Sequence, residues 1–461
     1  MQYALEGGYF MDIMIAGCGK VGMTLARHLA AEGHNITLID TSRALLEEAT
    51  EQLDAMAICG NCASKEVLVS AGIAEAELVI AATNADEVNL LCCMTAHGLN
   101  PKVHTIARIR TPEYTDQIMT MPEVFPLSLT VNPEKQAALE IERLLKYPGF
   151  LRRDTFAKGQ VEIVELRVDE SSKLKDVTLS DLSNIVKCKV LVCAVLRQGT
   201  AIAPSGNFVL RQGDRVFVTA PVDTLATLLK NLGIITRRVR KALICGGGRV
   251  SYYLAQLLEG SGMTVQLIDR DEKRCVALAS ALRDCSVVHG DCSNPDLLDS
   301  QGISQVDALV SLTGMDETNM IVSLYGNSRS VPQIITKLSR GEGVIADALP
   351  LGSVICPKEL CSNAIVRYVR AMENQTGAAV SVHTIADGQV EAVEFLVDSS
   401  TKNCGVPLKQ LKLRSNVLIA SITHGVHTEI PGGDSVFREG DTVVVVTSGR
   451  GVLQSINDIF A

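Results

Sequence analysis

One segment occurs twice in this chain, 229 residues apart, and few folds admit it. Residues 12–40 read DIMIAGCGKVGMTLARHLAAEGHNITLID and residues 242–269 read ALICGGGRVSYYLAQLLEGSGMTVQLID. Each is an apolar strand, a glycine turn, a helical stretch, a second apolar strand and a closing acid. That order predicts a mononucleotide-type βαβ unit, in which two parallel strands are joined by a helix.

The glycines have separable reasons. Gly17 permits a tight turn off the strand, Gly19 lets backbone approach a phosphate, and Gly22 lets the helix lie close to the sheet. The helix N-terminus offers free N–H groups to an anion. Asp40, eighteen residues after the last glycine, is placed to accept from ribose hydroxyls. In the second copy Gly246 and Gly248 keep the first two places, Ser251 replaces the third glycine, and Asp269 takes the place of Asp40. The serine is small enough to keep the packing but suits close phosphate contact less well than glycine. Arg249 lies near enough to that turn to reach a phosphate, or is a surface arginine at a helix start.

The repeat continues beyond the turns. CGNCAS (59–64) and HGDCSNP (289–295) each end a third strand. ELVIAATNADEVN (77–89) and DALVSLTGMDETN (307–319) each read as a buried strand, a Thr-bearing turn and a helix opening on Asp-Glu, where acids suit the helix dipole. VHTIARI (103–109) and QIITKLS (333–339) follow as strands, with Arg108 and Lys337 as cations at the C-terminal edge of each sheet. A proline-opened helix comes next, NPEKQAALEIERLLKYPG (132–149) and CPKELCSNAIVRYVRAMENQTG (356–377). Its apolar stripe at Ala138, Ile141 and Leu145 serves either a plain connector or a crossover helix packed on another copy. About 80 residues of alternating strands then follow in each half, with turns at Gly213-Asp214 and Gly440-Asp441.

The fold class expected is therefore α/β: two Rossmann-like parallel-sheet domains, each followed by a small α+β C-terminal lobe, by tandem duplication. The boundaries expected are a disordered leader at 1–11, nucleotide domains at 12–131 and 242–355, crossover helices at 132–149 and 356–377, lobes at 150–233 and 378–461, and a basic solvated linker at 234–241.

With 461 residues, each part has length enough for its own core. A net charge of −9 argues against a nucleic-acid or anionic-lipid surface, and no apolar run approaches the roughly 20 residues that cross a bilayer. The 47% hydrophobic content fits parallel strands buried on both faces. Among fourteen cysteines, Cys59 and Cys62 form one CxxC without a second pair at ligand spacing, which reads as reduced, mostly buried thiols of a cytosolic protein, with no metal site.

The motifs GCGKVG (17–22), Asp40, CGNCAS, AATNADEVN (81–89), IARIRTPEY (106–114) and NPEKQAALEIERLL (132–145) together resemble the regulator-of-K⁺-conductance (RCK) domain family. The order domain, lobe, domain, lobe is similar to the regulatory subunits of Trk-type potassium uptake systems. The resemblance implies a cytoplasmic, non-enzymatic protein, peripheral on the inner face of the membrane. It implies a homo-oligomer, dimer or tetramer, on a membrane-embedded TrkH- or TrkG-like potassium-translocating subunit. It also implies binding of NAD(H), ATP or ADP. Carried over, Gly17, Cys18, Gly19, Lys20, Val21 and Gly22 surround phosphate, Asp40 the ribose, Asn61 and Cys62 the adenine, Thr83 and Asn84 the sugar-phosphate, and Arg108 the phosphates. Gly246, Gly248, Arg249, Asp269, Asp291, Cys292, Thr313 and Lys337 hold the second set.

Two other readings stay open. A nicotinamide-dependent dehydrogenase needs a proton-transfer residue in a substrate domain, and His383, His424 and His427 read instead as scattered surface histidines. A soluble nucleotide or second-messenger sensor would use the lobes as ligand pockets, although they serve equally as dimer spacers.

Overall fold

The computed structural model describes residues 10–121, 123–146, 150–233, 239–339, 349–373, 379–386, 388–448, 453 and 455–461. Within them the duplication is plain. The first half opens with β1 (Asp12–Ala16), α1 (Lys20–Ala31), β2 (Asn35–Asp40), α2 (Arg43–Gln52), β3 (Met56–Cys59), α3 (Lys65–Ser70), β4 (Leu78–Ala81), α4 (Asp86–Leu99), β5 (His104–Arg108), α5 (Pro112–Thr120) and β6 (Leu129–Val131). The strands form one parallel sheet in the order β3-β2-β1-β4-β5-β6. Every residue of β4 is buried, as a strand covered on both faces requires. Order reverses between β1 and β4, and in open α/β sheets that point opens a crevice beyond the strands' C-terminal ends.

After α6 (Pro133–Lys146) comes the first lobe: β7 (Arg152–Phe156), β8 (Val161–Arg167), α7 (Leu182–Val186), β9 (Leu191–Arg197), β10 (Thr200–Ile202), β11 (Arg215–Pro221) and α8 (Leu225–Leu232). Its antiparallel sheet runs β10-β9-β11-β8-β7. The second half repeats the plan with β12 (Lys241–Cys245), α9 (Arg249–Gly260), β13 (Thr264–Asp269), α10 (Glu272–Ala281), β14 (Cys285–His289), α11 (Pro295–Ser300), β15 (Ala308–Ser311), α12 (Asp316–Ser328), β16 (Gln333–Lys337) and β17 (Ser353–Ile355). The sheet order is β14-β13-β12-β15-β16-β17, the same permutation as the first. Then come α13 (Pro357–Glu373) and a second lobe of β18 (Ala379–Ile385), β19 (Val390–Leu396), β20 (Val417–His424), β21 (His427–Glu429) and β22 (Thr442–Ser448), ordered β18-β19-β22-β20-β21.

The helix after each parallel sheet packs on the opposite copy. Compactness divides the chain into two units: the described residues up to Ala137 with Cys356–Val369, and Ala138–Ile355 with Arg370–Ala461. In the first unit, Ser362 of α13 lies 2.9 Å from His28 Nδ1 of α1, and Tyr368 lies 3.1 Å from His104 Nδ1 at the start of β5. In the second, Glu142 of α6 accepts from the Ser261 hydroxyl, and Gln333 donates to the Leu144 carbonyl. Ala138, Ile141 and Leu145 are fully buried, so the stripe is the packed face of an exchanged helix.

Within that second unit the two lobes share a core. Phe156, Val161, Ile163 and Phe217 of the first lobe meet Ile385, Val390, Ala392 and Val444 of the second. Each lobe keeps a further core of its own on the other face of its sheet.

Three expectations meet corrections or limits. Met11, assigned to the leader, is buried with its N–H donating to His34 Nδ1, while residues 1–9 lie outside the described residues. Of the basic linker, 234–238 lie outside them, as do the ends of both crossover segments at 147–149 and 374–377. His383 is not a surface histidine: its side chain is 11% exposed and Nδ1 lies 2.9 Å from Asp154 Oδ1.

Candidate functional site

The first cradle forms where β1, β2, β4 and β5 end. Gly17 turns the chain at φ +100°, a region that favours glycine. A Cβ there would sit 2.9 Å from the Ala82 carbonyl carbon and the Thr83 nitrogen, so the loop after β4 presses on the turn after β1. A Cβ on Gly22 would lie 1.8 Å from the Gly17 carbonyl oxygen, which leaves no room for one. Gly19 differs: among the described residues nothing lies within 4 Å of its would-be Cβ. It is the N-cap of α1, without a side-chain cap or an acid in the first turn, and Lys20 beside it is exposed. Unpaired N–H groups at a helix start therefore face open space beside a cation.

Asp40 braces this turn. Its Oδ2 accepts from Cys18 N–H at 2.7 Å and its Oδ1 from Ser42 N–H at 2.8 Å. Each oxygen keeps a further lone pair for a hydroxyl donor. Burial, then the charge of Asp40, pushes the Cys18 thiol up to about 12. The Asp40 carbonyl accepts from Gly60 N–H, which brings the β3 end alongside. There Asn61 is exposed and folds its Oδ1 onto Ala63 N–H, while Cys62 is buried. The thiols of the CxxC part ways: exposed Cys59 reaches the Thr41 carbonyl, and Cys62 hydrogen-bonds Cys92 of α4. That bond lowers Cys62 and raises Cys92.

Arg108, expected as a cation at the C-terminal edge of the sheet, is there but covered. It is 8% exposed, with Nη2 donating to the Thr83 carbonyl at 2.7 Å and to Asn84 Oδ1 at 3.2 Å, while its buried Nε has no hydrogen-bond partner among the described residues. It lies beneath the Thr83–Asn84 loop and is tied to it through the Thr83 carbonyl and Asn84 Oδ1.

The residue that closes this loop is Asn89, which the sequence reading did not single out. Fully buried, it accepts from Thr83 N–H at 2.8 Å and from the Thr83 hydroxyl, and donates to the Arg108 carbonyl at 2.8 Å. Asp86 was expected to serve the helix dipole. It also accepts from Arg110 N–H, Thr111 N–H and the Thr111 hydroxyl. Burial pushes its carboxyl up, but these donors outweigh burial and hold it below the usual range.

The second cradle repeats the frame with other linings. Gly246 has φ +104°, Gly248 is an uncapped N-cap with open space above it, and exposed Arg249 stands where Lys20 stands. Asp269 Oδ2 accepts from Gly247 N–H at 2.6 Å, the bond that Asp40 makes to Cys18. Ser251 keeps the packing with a Cβ present, because its hydroxyl donates to the Gly246 carbonyl. Thr313 and Asn319 repeat the Thr83–Asn89 pair, with Asn319 donating to the Lys337 carbonyl. Lys337 is half-buried and its Nζ lies 3.4 Å from the Leu312 carbonyl. Asp291, exposed, accepts from Ser293, and Cys292 is buried against Cys245. The common signal for the missed residues was present: an Asn closes both AATNADEVN and SLTGMDETN.

Open space over Gly19 and Gly248 at uncapped helix starts fits a phosphate group, and the carboxylates at the ends of β2 and β13 fit a ribose. Among the described residues no helix is long and apolar enough to cross a membrane, and no three His, Cys, Asp or Glu converge as metal ligands.

Known proteins match this frame along its length. The TrkA-N domain model matches residues 13–123 and 242–348, and the TrkA-C domain model matches 163–233 and 392–459. The chain is 31% identical over 452 residues to the Trk system potassium uptake protein TrkA homolog of Archaeoglobus fulgidus, covering 98% of this chain and all of that one. It is 29% identical to Trk system potassium uptake protein TrkA of Vibrio alginolyticus, covering 98% of each. In fold it is similar to the GsuK RCK domain, with a TM-score of 0.60 at 18% identity over 97% of this chain and 96% of that one. With both domain models found twice in one order, the chain belongs to the family of the Trk system potassium uptake protein TrkA.

Proposed function

We propose that the chain is a non-enzymatic, cytosolic regulatory subunit of a potassium uptake system, switched by adenine nucleotides. Its working form is a homo-oligomer held on a membrane-embedded potassium-translocating subunit. The observation that carries the nucleotide reading is the pair of open, uncapped helix starts at Gly19 and Gly248, each facing a braced carboxylate, Asp40 or Asp269. NAD(H), ATP and ADP share the adenosine and differ in phosphate number and charge, a difference that Lys20, Arg108, Arg249 and Lys337 can weigh.

The residues divide the work as follows. N–H groups at the α1 and α9 starts bind phosphate, Asp40 and Asp269 orient ribose, and Asn61, Cys62, Asp291 and Cys292 border the adenine. Thr83, Asn84 and Thr313 hold the sugar-phosphate side. A bound nucleotide shifts the assembly only by its difference in affinity between two arrangements. Asn89 and Asn319 are suited to relay that difference, since each ties the loop at the cradle to the strand that carries the cation.

The test is potassium flux into vesicles holding the membrane subunit, with this chain added on the cytosolic side. Flux is expected to change with NADH, NAD, ATP or ADP, and to lose that response when Gly19→Asp and Gly248→Asp are combined. Flux indifferent to the chain, with or without nucleotide, contradicts the proposal and leaves the soluble-sensor reading.

A further inference from the structure

The lobes are paired about an axis on which two different residues meet. Asp154 and His383 are 229 apart, the offset that relates the repeats, and occupy one register position: Asp154 opposes Ile163 and His383 opposes Ala392, themselves 229 apart. Each lies on an edge strand, β7 or β18. A residue that touches its own counterpart lies on a two-fold axis, and in a true homodimer it would touch itself. Around this axis the other contacts are near-symmetric. Gln160 donates to the Gly425 carbonyl and Gln389, its counterpart, to the Gly199 carbonyl. Phe156 and Ile385, and Val161 and Val390, are counterparts within the shared core.

At the axis the symmetry is broken by chemistry. Asp154 is held by Arg152 at 2.9 Å on its own strand and by His383 Nδ1 at 2.9 Å, and the Phe156 ring lies 4.6 Å from the imidazole. Ser381 stands where Arg152 stands and donates to Glu394 Oε2, and Glu394 Oε1 accepts from Ala157 N–H of the other lobe. Glu165, the counterpart of Glu394, turns instead to Arg215 of its own lobe. One side thus supplies an acid and the other a base, with different neighbours behind each.

We propose that lobe pairing in this protein is heterotypic, keyed by Asp154 and His383. A first lobe accepts a second lobe and rejects a copy of itself, and because the two lobes of one chain already share a core, each chain closes its own lobes on one another. Two first lobes would bring two buried carboxylates together, which is unfavourable unless one takes up a proton. Two second lobes would lack the acid altogether. Specificity of this kind comes as much from the mismatch as from the match.

The test uses the full chain. Thermal melting is compared for H383D, D154H, the exchanged D154H/H383D and H383Q, which keeps a donor toward Asp154. H383D is expected to melt several degrees below H383Q, and the exchanged variant to recover most of the loss. If H383D fails to accumulate, recovery of soluble protein in the exchanged variant gives the same reading. Co-expressed D154H and H383D chains are expected to melt as each does alone. An H383D that melts with H383Q, or an exchanged variant as unstable as the two losses together, overturns the key. Stability regained on co-expression would mean that lobes trade between chains, and overturns closure within one chain.

Discussion

At the scale of single residues, three glycines of one turn carry different burdens, and substitution separates them. Gly22→Ala drives a methyl into the Gly17 carbonyl and is expected to cost about 1–3 kcal/mol in urea unfolding. Gly19→Ala meets no described atom within 4 Å at an ordinary φ of −71° and is expected to cost under about 1 kcal/mol, the difference between Gly and Ala as N-caps, with no clash added. Asn89→Ala strands the part-buried Thr83 amide and the buried Arg108 carbonyl, and is expected to lose about 1–3 kcal/mol by the same measurement. The glycines and Asp40 were legible because their spacing is local and steric. Asn89 was not, since its partners are six and nineteen residues away and meet it only when β4 and β5 lie side by side. Arg108 was legible as a cation at a sheet edge, but the loop that covers it was not.

Among elements, strands and helices followed from periodicity and the proline-opened helices from composition, yet the partner of those helices did not. An apolar stripe says that α6 is buried without saying against which copy, and a duplicated chain offers two nearly equal answers. The same blindness hid His383, a lone histidine on a strand until the lobes are stacked and Asp154 stands opposite. Asp154 also sets a pH dependence. Burial pushes its carboxyl up, but Arg152 and then His383 outweigh burial and hold it below the ordinary value of about 3.9. A group depressed in the folded state stabilises fully above its unfolded value and loses that contribution as pH falls through the folded one. Asp86, depressed through Thr111 and Arg110, adds to the same limb. Urea unfolding from pH 6 down to pH 2.5 is therefore expected to show stability falling with acid, and Asp154→Asn to flatten that fall.

For the whole molecule, duplication has kept a frame and varied its lining. Gly247 replaces Cys18, Ser251 replaces Gly22, Asp291 replaces Asn61 and Lys337 replaces Arg108 at equivalent places of the repeat, so the cradles are expected to prefer different ligands. The cations set toward the phosphates differ, buried Arg108 in one cradle and half-buried Lys337 in the other, and a calorimetric comparison of ATP with NAD at the two cradles is expected to show different affinity ratios. The most direct measurement is isothermal titration of the full chain with NADH, NAD, ATP and ADP, for the wild type and for Gly19→Asp and Gly248→Asp separately. Among the described residues nothing lies within 4 Å of a Cβ built at either glycine, so the substitution places a carboxylate at the helix start, where the phosphate would bind. Two binding events are expected in the wild type, one lost in each variant. No binding of any of the four, or binding unchanged in both variants, would contradict nucleotide capture at these helix starts.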